Sequence, residues 1–97
     1  MEIKHNDDST KGMFFIEMEG KTVAKMTYVY AGPKLFIIDH TEVGPELKGL
    51  GAGKQLLEQA VQFARKNDLK ILPLCPFAKS VFDKTPEYSD VLSATKI

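Results

Sequence analysis

The chain has 97 residues, 43% of them apolar, and its 13 basic and 13 acidic side chains leave a formal net charge of zero at pH 7. This length and composition predict a single domain, residues 1–97, with one core. The balanced charge argues against nucleic acid as a partner, because nucleic-acid binding favours a basic surface. No apolar run is long enough to span a membrane, and one cysteine with two histidines gives no spacing typical of a metal site.

The single cysteine also bears on where the protein works. Cys75 has no second cysteine with which to form an internal disulfide, and the first residues lack the apolar stretch of a signal peptide. We therefore expect a protein of the reducing cytoplasm. As a separate expectation, the protein is a monomer or a weak dimer.

The first half of the chain has the composition of β-strands. Residues 3–5 suggest an edge strand, and three stronger segments, rich in β-branched and aromatic residues, follow at 13–18, 22–30 and 35–43. The connections between them are short and polar. They predict an antiparallel meander, because parallel neighbours need a longer crossover.

A glycine-rich stretch then leads into an amphipathic helix predicted over residues 52–66. The first N–H groups of a helix have no intrahelical acceptor, and glycine lets a ligand approach the backbone closely. With Lys48 and Lys54 beside those donors, the stretch predicts an anion site, and we expect a pyrophosphate there. A purely structural turn is the alternative, whereas Walker and dinucleotide-binding spacings do not occur.

The last third of the chain adds one strand and short helices. Residues 70–75 predict a strand, and Pro76 is suited to begin a helix over 77–83 that buries Phe77, Val81 and Phe82. Residues 87–97 predict one helical turn and a tail. The fold class is therefore α+β, or mixed α/β, with the strands on either side of the long helix parallel.

The segment Lys48-Gly49-Leu50-Gly51-Ala52-Gly53 resembles the pyrophosphate loop of the GNAT superfamily of N-acetyltransferases, Arg/Gln-x-x-Gly-x-Gly/Ala. With residues 40–43 before the loop and 73–77 after it, the chain is similar to the small single-domain, YjdJ-like proteins of that superfamily. The resemblance implies a minimal GNAT fold that binds acetyl-CoA and acetylates an amine on a small molecule or peptide. Because little of the usual acceptor-shaping segments fits in this length, a non-catalytic module that binds CoA or another protein is the alternative.

The resemblance also implies which residues bind the cofactor. Backbone amides of the loop and helix start would hold the pyrophosphate, and the pantetheine arm would lie between the two parallel strands, near Val43. The implied set is Val43, Lys48, Gly49, Leu50, Gly51, Ala52, Gly53, Lys54, Pro76 and Phe77.

Four residues are candidates for the chemistry. Cys75 could carry the acetyl group or protonate the CoA thiolate, although a buried apolar role is the commoner one for a free cysteine. His40 is a candidate base for the amine, with Glu42 on the same strand face and Asp39 as a further option. Tyr88 could protonate the leaving thiolate, with packing as the alternative role.

Overall fold

The computed structural model describes residues 2–93, and its centre is a five-stranded sheet whose strands lie in chain order. The first four strands are antiparallel, and the fifth runs parallel to the fourth. This arrangement confirms the predicted meander and the predicted parallel pair. The strands are β1 (Lys4–Asp7), β2 (Lys11–Met18), β3 (Lys21–Tyr30), β4 (Leu35–Val43) and β5 (Lys70–Pro73).

The long helix α1 (Ala52–Asn67) covers one face of the sheet. Its apolar residues recur at three- and four-residue spacing, so they form one stripe that packs on inward-facing residues of β3 and β4. The helix ends at Asn67, one residue beyond the predicted end. The next residue, Asp68, adopts the left-handed conformation, with φ 55°. The fully buried side chains of this core include Leu56, Leu57, Val61, Met26, Tyr28, Phe36 and Ile38.

The chain after β5 returns to the same core. Helix α2 (Pro76–Lys84) buries Ala78 and Phe82, and a 3-10 helix (Pro86–Val91) follows. The predicted burial of Phe77 is wrong, because 39% of its surface is exposed. Ala78 and Phe82 lie one helical turn apart on the inner face of α2, and that geometry leaves the Phe77 ring at the rim.

The other face of the sheet has a different character. Phe15 and Leu72 point to it and are buried, but they lie outside the cluster that contains the buried side chains of both helices. Met13, Val29 and Ile37 are half-buried on this face. We call it the helix-free face. Within residues 2–93, none of the helices has the length and apolar character needed to cross a membrane.

Candidate functional site

Strands β4 and β5 pair over a short distance and then separate. Their register ends at Ile38 opposite Pro73, and the N–H groups of Leu74 and Cys75 both donate to the Ile38 carbonyl, at 3.0 and 3.1 Å. Pairing stops there because Pro76 turns the chain into α2. The rest of β4 is therefore paired with β3 alone. We call this opening between β4 and the start of α2 the fork.

A β-bulge sets which groups of β4 face the fork. Tyr28 pairs with Ile38 and Thr27 pairs with His40, so Asp39 is the extra residue. Beyond the bulge, the N–H of Gly44 donates to the Val23 carbonyl of β3, at 2.7 Å. Since backbone groups alternate along a strand, the N–H groups of Val43 and of Thr41 point to the opposite edge, which is the fork.

The glycine loop leaves helix donors without partners. Gly49 and Gly51 have φ of 82° and 72°, a conformation that only glycine adopts at little cost. The first α-helical bond of α1 runs from the Gln55 N–H to the Gly51 carbonyl, at 3.1 Å, and no side chain caps the helix. The amides of residues 52, 53 and 54 therefore have no intrahelical acceptor.

These groups border a cavity of about 600 Å³ at the mouth of the fork. The Phe77 ring closes one side and lies against Gly53, where a Cβ would sit 2.7 Å from the ring carbon Cζ. A larger residue at position 53 would therefore displace the ring. Of the predicted cofactor residues, those lining the cavity are Val43, Lys48, Gly49, Gly51, Ala52, Gly53, Lys54 and Phe77.

Two of the predicted cofactor residues do not line this cavity. The Leu50 side chain is 58% exposed, and its N–H already donates to the Leu47 carbonyl at 3.1 Å. Pro76 has no N–H and serves as the first residue of α2. Both residues shape the backbone around the cavity and do not offer it a donor.

Cys75 lies inside the fork. Its side chain is buried, and the thiol donates a hydrogen bond to Thr41 Oγ1 at 3.3 Å. Thr41 was not among the sequence-predicted site residues. It stands between His40 and Glu42, so strand alternation places it on the opposite face, and the bulge at Asp39 makes that face the helix side. A bulge leaves no clear signal in the sequence.

His40 and Glu42 form a pair on the helix-free face. His40 Nε2 lies 3.0 Å from Glu42 Oε1, and Lys25 Nζ lies 3.7 Å from the second carboxylate oxygen. The hydrogen bond from His40, followed by the charge of Lys25, holds the pKa of Glu42 below its usual value. When Nε2 carries the proton, the pair leaves Nδ1 as a proton acceptor.

Of the remaining two candidates, Asp39 lies beside His40, whereas Tyr88 lies away from it. The Asp39 carboxylate accepts a hydrogen bond from Thr27 Oγ1 at 2.6 Å, next to His40 on the exposed surface. Tyr88 is buried, its ring lies 6.1 Å from that of Phe82, and burial raises its pKa, followed by the charge of Glu58. Its neighbours belong to α1 and α2, so the structure does not bring it together with the His40 pair.

Residues 13–91 match the family of GCN5-related N-acetyl-transferases. The chain belongs to this family. Because the match covers most of the chain, the GNAT fold expected from the loop is confirmed, and the family and the fold together support an acyltransferase.

Individual relatives agree with this assignment. The NMR structure of a GCN5-like protein from Staphylococcus aureus is 40% identical, with a TM-score of 0.74 over 98% of this chain and 90% of that one. Protein NATD1 of Xenopus tropicalis is 28% identical over 87% of this chain and 78% of its own length. The ribosomal-protein-alanine N-acetyltransferase of Brucella melitensis is 18% identical over 93% of this chain and 67% of that one, with a TM-score of 0.63, and shows the shared GNAT fold alone.

Proposed function

We propose that this GNAT protein binds acetyl-CoA in the cavity at the fork and transfers the acetyl group to an amine. One observation carries the proposal: uncapped helix amides and the open edge of β4 border the same cavity. A single ligand with an anionic end and a slender amide-containing arm, as coenzyme A has, would satisfy both sets of donors.

The anionic end fits the start of α1. The amides of Ala52, Gly53 and Lys54 provide donors at the positive end of the helix, where one negative charge is typically stabilised by about 0.3–1 kcal/mol. The side chains of Lys48 and Lys54 line the cavity and add positive charge. Gly49 and Gly51 carry no side chain that would block a phosphate.

The slender arm fits the fork. The Val43 N–H points to the fork and would hold the arm or polarise a carbonyl there, as an oxyanion-binding donor does. The exposed Phe77 ring offers an apolar wall on the other side of the cavity. Acetyl-CoA supplies a thioester whose carbonyl carbon an amine can attack, and this attack forms the amide and releases the thiolate.

We assign the proton transfers to the two faces of β4. On the helix-free face, His40 paired with Glu42 accepts the proton from the amine, with Asp39 as the neighbouring alternative. Within the fork, the Cys75 thiol stands ready to protonate the departing thiolate. A covalent acetyl-Cys75 route is the second variant. We assign no step to Tyr88.

A charge-neutralising pair of variants tests cofactor binding. Lys48→Gln with Lys54→Gln should weaken acetyl-CoA binding about five- to tenfold, because two favourable charges near the pyrophosphate are lost. Lys66→Gln, which removes an exposed lysine at the other end of α1, is the matched control and should bind as the wild type does. Isothermal calorimetry measures the affinity of the wild type, the double variant and the control for acetyl-CoA. Equal affinities would show that Lys48 and Lys54 do not contribute to binding.

Transfer itself needs a separate assay. Release of free CoA from acetyl-CoA, followed in the presence of amines, should exceed the rate seen with no amine. Tight binding with no amine-dependent release would instead support the non-catalytic CoA-binding module. A cytoplasmic location, where a single thiol stays reduced, would suit either function.

A further inference from the structure

A lysine of β3 lies beside the proposed base on the helix-free face. Lys25 pairs in register with Glu42 of β4, so the two side chains are direct cross-strand neighbours. Lys25 Nζ lies 3.7 Å from Glu42 Oε2, while Glu42 Oε1 lies 3.0 Å from His40 Nε2. Because each oxygen of this carboxylate contacts a different partner, Glu42 connects the lysine to the histidine.

The strand register also gives the Lys25 side chain a fixed support. Lys4, Phe15, Lys25 and Glu42 form one row across β1 to β4. Phe15 is only 7% exposed although it lies on the helix-free face, and the register places the aliphatic stem of a lysine on either side of its ring. A stem that packs on a ring has fewer rotamers to lose, so the Lys25 ammonium group reaches Glu42 at a smaller cost in entropy.

The charges around His40 come from its own strand and from β3. Glu42 and Asp39 lie on β4, and Lys25 lies on β3, whereas Thr27, which is opposite His40, is uncharged. On the other side, β5 ends before this part of β4 begins. Lys25 therefore supplies positive charge to a group that is otherwise acidic.

Glu42 and Lys25 act on the imidazole in opposite directions. A carboxylate beside an imidazole favours its protonated form, and a nearby positive charge disfavours that form. If the charge of Glu42 were not offset, less His40 would be in the free-base form near neutral pH, where a base is needed. With Lys25 present, Glu42 can orient the ring through Nε2 while Nδ1 stays free to accept a proton.

We propose that Lys25 is a positioning residue for the acetyl transfer, which holds Glu42 in place and offsets its charge so that His40 stays available as the base. This inference rests on the proposed function, which assigns that role to His40. Lys25 lies outside the set of residues that lines the cofactor cavity, so it acts through Glu42 and not on acetyl-CoA.

The proposal predicts a pH-dependent loss of activity. In Lys25→Met, which keeps the stem beside Phe15, kcat/KM for the amine should fall about two- to threefold near pH 6, in keeping with the modest energy of exposed ion pairs. Near pH 9, where His40 is a free base in either protein, the two rates should agree. The KM for acetyl-CoA should not change. The amine is the one that gives the fastest CoA release in the transfer assay, and its own ionisation cancels in the ratio of the two rates.

Two further variants separate positioning from a general effect of charge or structure. Lys25→Arg keeps the charge and should restore most of the rate near pH 6. Lys4→Met removes the same charge on the other side of Phe15, where Lys4 Nζ contacts Glu17 Oε1 at 2.6 Å, and should behave as the wild type does. A loss in Lys25→Met that is the same at every pH, or an equal loss in Lys4→Met, would overturn the proposal.

A measurement on the free protein separates this inference from the proposed function. The C–H resonances of the His40 ring, followed by NMR against pH without cofactor, should titrate with a midpoint about 0.2–0.5 pH unit higher in Lys25→Met than in the wild type. His5, whose ring bonds the Tyr28 hydroxyl on the helix side of the sheet, is the internal reference and should keep its midpoint.

The possible outcomes of this titration differ. An unchanged His40 midpoint in Lys25→Met, or the same rise in Lys4→Met, would refute the role of Lys25 even in a protein that transfers acetyl groups. A His40 midpoint that rises in Lys25→Met alone, in a protein that shows no amine-dependent release of CoA, would instead refute the proposed transfer and leave the effect of Lys25 on His40 established.

Discussion

At the scale of single residues, the two sides of β4 hold different candidate site residues. Thr41 contacts the buried Cys75 thiol on the helix side, while His40 and Glu42 pair on the helix-free side. The extra residue Asp39 produces this division, because each residue after a bulge changes side relative to an unbulged strand. The proposed proton acceptor, His40, and the proposed proton donor, Cys75, thus stand on opposite sides of β4.

The contact between Thr41 and Cys75 can be tested by replacing the Thr41 hydroxyl with a methyl group. Thr41→Val keeps the shape of the side chain but deletes the oxygen that accepts the thiol proton. The loss of one net hydrogen bond, about 0.5–1.5 kcal/mol, should lower kcat about two- to tenfold with little change in KM for acetyl-CoA. Thr41→Ser keeps the oxygen and should restore most of the rate in steady-state kinetics. A kcat for Thr41→Val equal to that of the wild type would show that this contact plays no part.

Asp7 gives a prediction on pH. Burial opposes ionisation of its carboxyl group, but hydrogen bonds at 2.6 Å from the hydroxyls of Tyr28 and Tyr30 outweigh it and hold its pKa below the usual value. A lowered pKa in the folded state contributes stability above the unfolded pKa of about 4, and this stability is lost as the pH falls through the folded value.

Asp7→Asn should therefore unfold more easily than the wild type at pH 7, by about 0.5–1 kcal/mol because the carboxylate is largely exposed. The difference should shrink as the pH falls below about 4. Urea unfolding at a series of pH values measures it. A difference that is constant with pH would mean that the charge of Asp7 does not contribute.

At the scale of elements, α1 both covers the core and presents the uncapped amides to which the proposed function assigns the pyrophosphate. Its periodic apolar residues predicted the helix from the sequence, and its start at the glycines was predicted to the residue. Two features could not be predicted from the sequence, because they depend on contacts between residues that are distant in the chain. The bulge needs the register of β3 on β4, and the exposed ring of Phe77 depends on how α2 rests on the sheet.

The core contribution of α1 is measurable with one matched pair of variants. Leu57 is fully buried, so Leu57→Ala should lower the free energy of unfolding by about 2–5 kcal/mol, through lost apolar burial and the cavity left behind. Gln62→Ala alters an exposed position in the same helix and should stay within about 0.5 kcal/mol of the wild type. Urea unfolding compares them, and similar losses in both variants would contradict the assignment of the buried face.

At the scale of the whole molecule, the sheet separates the two faces that hold the candidate site residues. The uncapped start of α1 and the fork border one cavity on the side of the helices, whereas His40 and Glu42 pair on the helix-free face. The fork connects the two because pairing between β4 and β5 ends at Ile38. Under the proposed function, acetyl-CoA and the amine approach β4 from opposite sides and meet at the fork.

The most direct test is a titration of acetyl-CoA into the isotope-labelled protein, followed by the amide resonances. Binding through bare backbone donors should shift the amides of Val43, Gly49, Gly51, Ala52, Gly53 and Lys54 most, because those N–H groups would gain acceptors. No shift at millimolar acetyl-CoA, or shifts concentrated away from the glycine loop and the fork, would contradict the account.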